Sequence, residues 1–330
     1  MRRDTKQQNY LGKFLKENPM PTSFSGNILD IRNMVSQVSQ ALNAAKAGGV
    51  ENVEEEDITV AARDGYPIPV RIYKPTPPPA GGSPLVIAYH GGGFTMCDLE
   101  SEQDNCRNYA QKLGCTCVNV DYRLAPEHPF PTAAEDSFDA TKWAAANANK
   151  LGADPSKGFV VSGPSAGGNL AAVVSHLARD EKLSPPITGV SLMIPLLTDY
   201  TLKEFPEEYK HEIVSYEQNG TAPFLGLASL KMFLDAYNPD LKSHLFNVFA
   251  APYNFKGLPP TFFQVCGMDP LRDEAMLYER LLREKYDTKT LLKIYPGLPH
   301  GFYGLASTLK SSGAFVEDTV EGMKWLLEQK

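Results

Sequence analysis

One stretch limits what this chain can fold into more than any other. The apolar run Phe159-Val160-Val161-Ser162 leads into Gly163-Pro164-Ser165-Ala166-Gly167 and continues as the small-residue series Gly168-Asn169-Leu170-Ala171-Ala172-Val173-Val174. A short β-type run that meets Gly-x-Ser-x-Gly and turns straight into a helix is the sequence form of a nucleophile elbow. A serine hydroxyl is a weak nucleophile, so the pattern carries chemistry only where a sharp strand-to-helix turn presents the oxygen to an incoming carbonyl. Gly163 and Gly167 are expected to leave room for that carbonyl. The elbow also needs a parallel sheet around its strand, which the rest of the chain must supply.

The remaining pattern supplies one. Apolar residues at helical spacing, Ile28, Ile31, Val35, Val38 and Leu42, predict an amphipathic helix over residues 27–42, ahead of the first strand signals and so packed over the mouth of the domain. Alternation over 57–61 and 66–73 around Asp64-Gly65 predicts a hairpin. Leu85-Val86-Ile87-Ala88-Tyr89 is apolar on both faces, as a central parallel strand is, and it ends in His90-Gly91-Gly92-Gly93-Phe94. Helices over 102–113, 133–147 and 167–180 then alternate with strands over 115–120, 158–162 and 190–194. The rhythm breaks over 199–239 and resumes with a strand at 261–267, a helix at 273–285, a strand at 290–295 and a terminal helix at 313–328. This is an α/β fold with a mostly parallel sheet and helices on both faces. The catalytic α/β domain spans 51–198 and 241–330. Residues 1–50 and the insertion 199–240 are expected to form a helical cap, since a long insertion in such a domain is more often a lid than a linker.

Composition narrows the partner. A net charge of -7, with no Lys/Arg cluster beyond Arg2-Arg3, argues against nucleic acid or an anionic membrane surface and for a small molecule. The N-terminal residues lack an apolar signal-peptide core and no window is long and apolar enough to span a membrane, so a cytoplasmic location is expected. Five cysteines, Cys97, Cys106, Cys115, Cys117 and Cys266, are an odd number without zinc-site spacing and read as reduced core residues, with no metal implied.

A catalytic serine needs a base to take its proton and an acid to orient the base. Among six histidines, His176 falls inside a helix, His211 and His244 in or beside the polar insertion, and His128 in a Pro-rich loop. His90 opens the glycine run. His300 comes after the last strand in a loop with two glycines and two prolines, where it would be held over the sheet. Asp269, directly after the strand ending at Gly267, is the favoured acid. Its rivals Asp273 and Glu274 fall in the first helical turn, where carboxylates complement the helix dipole. The order Ser165, Asp269, His300 is that of this fold class. One oxyanion donor is expected to be the N–H of Ala166, at a helix N-terminus, and the others are expected from the run His90-Gly91-Gly92-Gly93, where glycine lets the backbone come close to a substrate.

With these residues in place the chain resembles the hormone-sensitive-lipase-like branch of the α/β-hydrolase superfamily, as a fungal-type member. The resemblance runs from about Val53 to Lys330 and includes Asp121-Tyr122-Arg123-Leu124-Ala125-Pro126-Glu127-His128-Pro129-Phe130-Pro131 and Gly267-Met268-Asp269-Pro270-Leu271-Arg272-Asp273-Glu274. It implies Ser165 as nucleophile, His300 as general base, Asp269 as acid, Gly91, Gly92 and Ala166 as oxyanion donors, no metal or organic cofactor, and a small ester as substrate. Members are mostly carboxylesterases on short or medium acyl esters, fungal relatives include esterases of secondary metabolism, and many dimerise through the segment matching 290–328. One departure is Pro164, where the branch carries an acidic residue; proline donates no hydrogen bond, so local support should change and the reaction class should not. Phe94, Phe205, Tyr216, Phe224, Leu225, Leu227 and Phe233 are candidate pocket residues. Two other readings exist on this fold: a lyase or acyl-transfer enzyme of secondary metabolism, and a receptor, which the intact Ser165 and His300 weigh against.

Overall fold

The structure, a computed structural model, describes residues 12–17, 24, 26–45 and 50–329; the side chains of residue 38 and of residues 40–45 are outside that description, so Val38 and Leu42 cannot be placed on a helix face, and Arg2-Arg3 also lie outside it. The strands are β1 (Val53–Ala61), β2 (Pro67–Pro75), β3 (Leu85–Tyr89), β4 (Thr116–Val120), β5 (Phe159–Pro164), β6 (Gly189–Met193), β7 (Thr261–Cys266) and β8 (Thr290–Tyr295). They form one sheet in the order β1-β2-β4-β3-β5-β6-β7-β8. The first hairpin joins antiparallel, β2 pairs antiparallel with β4, and every later pairing is parallel.

The sheet follows from the apolar runs. Every residue of β3, β4, β5, β6 and β7 is buried, as strands covered on both faces must be. The exposed edge strand β1 alternates. The helices that follow residue 27 are α1 (Ile28–Ala45), α2 (Gln103–Leu113), α3 (Thr132–Ala146), α4 (Ala166–Asp180), α5 (Ser215–Gln218), α6 (Leu227–Tyr237), α7 (Arg272–Lys285), α8 (Phe302–Leu305) and α9 (Lys310–Glu328), with short 3₁₀ turns between some of them. The apolar faces of α3, α4 and α7 share one core on one side of the sheet. Cys106, Tyr109 and Ala110 of α2 and Met323 and Leu326 of α9 cover the other. At about 1.5–3 kcal/mol for each fully buried large apolar side chain, these two layers outweigh the local propensities of any one element.

The hairpin and the strand–helix alternation follow the order that the sequence predicts. Within residues 199–240 the chain forms a 3₁₀ turn (Glu207–Glu212) that starts after Pro206, then the single turn of α5, the two separated by Ile213 and Val214. The helix at 27–42 extends from Ile28 to Ala45; Ile31 is buried and Ile28 and Val35 are half-buried against the core.

Candidate active site

All parallel strands end on one side, and the loops that leave them there carry the site. Ser165 sits between β5 and α4 with φ 55° and ψ -116°, a conformation L side chains rarely adopt. Its neighbours hold it there: the Ser165 N–H donates to the Met193 carbonyl at 2.8 Å, and its own carbonyl accepts from Asn169 N at 3.0 Å and Leu196 N at 3.2 Å. Asn169, in the first turns of α4, ties the elbow to the chain beyond β6 by donating to the carbonyls of Leu196 (2.9 Å) and Phe246 (2.7 Å).

The two elbow glycines do something other than make room for an incoming carbonyl. A Cβ on Gly167 would lie 2.1 Å from the Tyr89 carbonyl oxygen and 2.6 Å from that of His90; one on Gly163 would lie 2.6 Å from the Tyr89 oxygen. The space is filled by the end of β3. Bare backbone at both positions lets the elbow press against that strand end, which brings the glycine run beside the nucleophile: a Cβ on Gly91 would be 3.6 Å from Ser165 Cβ and 3.2 Å from the Pro164 carbonyl oxygen.

His300 and Asp269 complete a chain of contacts to Ser165. His300 Nε2 is 3.0 Å from Ser165 Oγ and its Nδ1 is 2.7 Å from Asp269 Oδ2. Asp269 is 1% exposed, and its other oxygen accepts from the Leu271 N–H at 2.9 Å. Both carboxylate oxygens are thus engaged, which fixes the carboxylate and through it the imidazole. No acceptor among the described residues takes the N–H of Gly91, Gly92 or Ala166. Gly92 has φ +100°, and its carbonyl accepts from Thr95 N and Met96 N, both at 3.1 Å, which folds the run into a tight loop. His90 stacks on Tyr122 at 4.1 Å, and the Tyr122 hydroxyl donates to the His90 carbonyl at 2.8 Å.

Comparison with known proteins identifies the family. The family model described as "alpha/beta hydrolase fold" matches residues 86–304. The chain belongs to this family. It lies in the hormone-sensitive-lipase-like branch. An AB hydrolase superfamily protein of Schizosaccharomyces pombe is 38% identical over 98% of this chain and 94% of its own. The versiconal hemiacetal acetate esterase of Dothistroma septosporum is 36% identical over 91% of this chain and 89% of its own. Among solved structures, that of vibralactone cyclase superimposes with a TM-score of 0.88 at 34% identity, covering 96% of this chain and 94% of that one.

In this hydrolase the insertion docks on the loop that carries Asp269. Asp273 Oδ2 accepts from the N–H groups of Val214 (2.9 Å) and Ser215 (2.7 Å), so it caps α5 and not only its own helix. Asn219 Nδ2 donates to the Asp269 carbonyl at 2.9 Å. Glu274 is buried, accepts from Leu197 N at 2.6 Å and from the Tyr216 hydroxyl, and burial pushes its carboxyl well above the usual range. The helix-dipole reading of these two carboxylates therefore gives way to one in which they join the insertion to the domain.

The candidate pocket residues divide. Phe94 is fully buried and stacks on Tyr237 at 4.0 Å, Phe205 packs on Phe249 at 4.8 Å, and the Tyr216 hydroxyl donates to Glu274, so each has a packing or hydrogen-bond partner within the protein. Leu225 and Leu227 pack with the large core. Phe233 packs beneath Phe24 and fills the place of a side chain on Gly93, whose Cβ would be 2.6 Å from its ring. Phe224 lies in a cluster with Met193, Leu298 and Phe302, against which Phe14, Leu15 and Tyr303 pack. Those last partners are invisible in the sequence, because nothing in a local pattern brings residues 14 and 303 together.

Glu102, 4% exposed at the start of α2, gives no signal in the sequence either, since a glutamate there reads as an ordinary helix-dipole residue. Its carboxyl accepts from Asn105 Nδ2 at 2.8 Å, has no cation among the described residues, and is pushed up to about 8 by burial. The folded protein thus holds a proton between the ordinary glutamate range and about pH 8 that the unfolded chain has released, so stability falls as pH rises through that window. Glu102→Gln should flatten this fall: wild-type Tm should drop more between about pH 5.5 and about pH 8.5 than that of the variant. Equal slopes in calorimetry would exclude a buried titrating carboxyl.

Proposed function

We infer that this protein is a serine carboxylester hydrolase working through an acyl-enzyme. The observation that carries the reading is the unbroken line of hydrogen bonds from Asp269 through His300 to Ser165. His300 Nε2 takes the Ser165 proton as Oγ attacks the ester carbonyl, and Asp269 holds the imidazole in the tautomer that can accept it. Gly91, Gly92 and Ala166 donate to the developing oxyanion, with the N-terminal dipole of α4 behind Ala166. His300 passes its proton to the departing alkoxide, then activates a water that frees the acid and regenerates Ser165.

The apolar cluster around Phe224 supports esters with a short-to-medium apolar acyl group or a natural-product skeleton. Residues 1–50 and 199–240 act as a cap that selects among them. No helix among the described residues is long and apolar enough to cross a membrane. We place the protein in the cytoplasm, on the reduced cysteines, and propose a homodimer through β8, the sheet edge opposite β1. Its acidic net charge supports a small-molecule partner and no nucleic acid. The resemblance to vibralactone cyclase favours a second reading, intramolecular transfer or cyclisation by the same groups.

Incubation with p-nitrophenyl acetate and butyrate tests the main reading: steady release of nitrophenol is expected, with stoichiometric labelling of Ser165 by a fluorophosphonate. Labelling without turnover of either ester would favour the cyclase reading, and no labelling would exclude both.

A further inference from the structure

The side chain of Arg32 fastens the N-terminal arm to the loop that follows β3. Arg32 of α1 donates from Nε to the Thr95 carbonyl at 2.6 Å and from Nη2 to the Ala125 carbonyl at 2.5 Å. The same guanidinium meets both oxygens of Glu127, Nη1 to Oε1 at 2.7 Å and Nη2 to Oε2 at 2.9 Å. Its side chain is 20% exposed and that of Glu127 46%, so the pair forms at the rim while the carbonyl contacts reach inward. Rim ion pairs contribute little by themselves. The fork geometry is what matters, since one planar group spans two carbonyls and a carboxylate.

Those two carbonyls lie on the segments that shape the oxyanion loop. Thr95 N and its Oγ1 both donate to the Gly92 carbonyl, at 3.1 and 3.3 Å. Ala125 N donates to the Phe94 carbonyl at 2.9 Å. Between these anchors, Gly92, Gly93 and Phe94 have φ of +100°, +60° and +61°, a run of left-handed backbone that is costly at Phe94 and needs to be held by its surroundings. The arm grips the loop a second way: Phe24 N donates to Ser229 Oγ at 2.8 Å and its ring packs on Phe233, which seals Gly93 from above.

We propose that Arg32 is a positioning residue for the oxyanion donors, so that seating the N-terminal arm assembles the catalytic site instead of merely walling the pocket. The inference rests on the esterase reading. Arg32 touches no reacting atom; it acts by fixing Thr95 and Ala125, and through them the direction of the Gly91 and Gly92 N–H groups. A lysine, with a single ammonium on a flexible stem, cannot span the three acceptors.

The test compares wild type, Arg32→Ala, Arg32→Lys and Glu127→Gln on p-nitrophenyl butyrate, together with affinity for a trifluoromethyl ketone that mimics the tetrahedral adduct. Arg32→Ala should lose about 10- to 100-fold in kcat with KM within about threefold, somewhat less than deletion of a donor costs. Ketone affinity should fall in proportion, and added guanidinium should restore part of the loss in Arg32→Ala and none in wild type. Arg32→Lys should recover less than about tenfold, and Glu127→Gln, which keeps both carbonyl contacts, should lose about threefold or less. If Arg32→Ala does not fold, Arg32→Lys carries the comparison, with the same split between kcat and KM required. Unchanged kcat, a rise in KM alone, or a loss of kcat without loss of ketone affinity would each overturn the inference. Wild type that neither hydrolyses the ester nor binds the ketone overturns the esterase reading and this inference with it; an active wild type beside an equally active Arg32→Ala overturns the inference alone.

Discussion

Ser165→Ala should lower kcat on a short-chain ester by about 10⁵- to 10⁶-fold, with KM changed by no more than a few-fold. The oxygen that attacks is lost while the groups that bind and polarise the carbonyl remain, so the deficit falls on the chemical step. Backbone donors and bound geometry still act on water, and a residual acceleration of about 10³- to 10⁴-fold over the uncatalysed reaction should survive. Because Ser165, His300 and Asp269 act as a unit, adding His300→Ala to Ser165→Ala should cost almost nothing more. Steady-state turnover checks both expectations. A variant within about tenfold of wild type would remove Ser165 from the mechanism, whatever the geometry at His300.

How much of this site could be read from the chain depends on the distance over which each residue acts. Ser165, Asp269 and His300 were legible because each sits at the end of a strand whose apolar run is local, and a parallel sheet brings all such ends to one side. The glycine run after β3 was visible for the same reason. The sheet itself came from strand and helix periods that need only a few residues to declare themselves. What stayed hidden acts across the fold. Asp273 reads as a dipole carboxylate until Val214 and Ser215, nearly sixty residues away in sequence, turn their N–H groups to it. The stacking of Phe94 on Tyr237, more than 140 residues on in the chain, has no local signal. Arg32 lies in a helix whose pattern signals only amphipathicity, and its three partners are spread over residues 95–127.

Gly167→Ala should prevent the chain from reaching a stable folded state. Its Cβ would stand 2.1 Å from the Tyr89 carbonyl oxygen and 2.6 Å from that of His90, where ordinary contact begins beyond 3 Å, and both obstacles are backbone. Neither side can retreat. Tyr89 ends β3, which is paired on one side with β4 and on the other with β5. Gly167 opens α4 just after an elbow tied to Met193, Leu196 and Phe246. Strain that cannot relax belongs in the class of substitutions costing about 4–5 kcal/mol or more, a large share of the roughly 5–15 kcal/mol that holds a typical domain together. Gly313→Ala makes the contrast: within α9 and with nothing within 4 Å of a Cβ, it should raise stability by about 0.4–1 kcal/mol. Soluble yield and calorimetric Tm distinguish the two, and a Gly167→Ala protein melting within a few degrees of wild type would show that the elbow does not press on β3 as described. If some folded variant is recovered, activity should be its weaker property: the least costly relief moves the end of β3 away from α4, and that end carries His90, Gly91 and Gly92. The contact that makes the elbow possible is therefore also the contact that sets the oxyanion donors against Ser165.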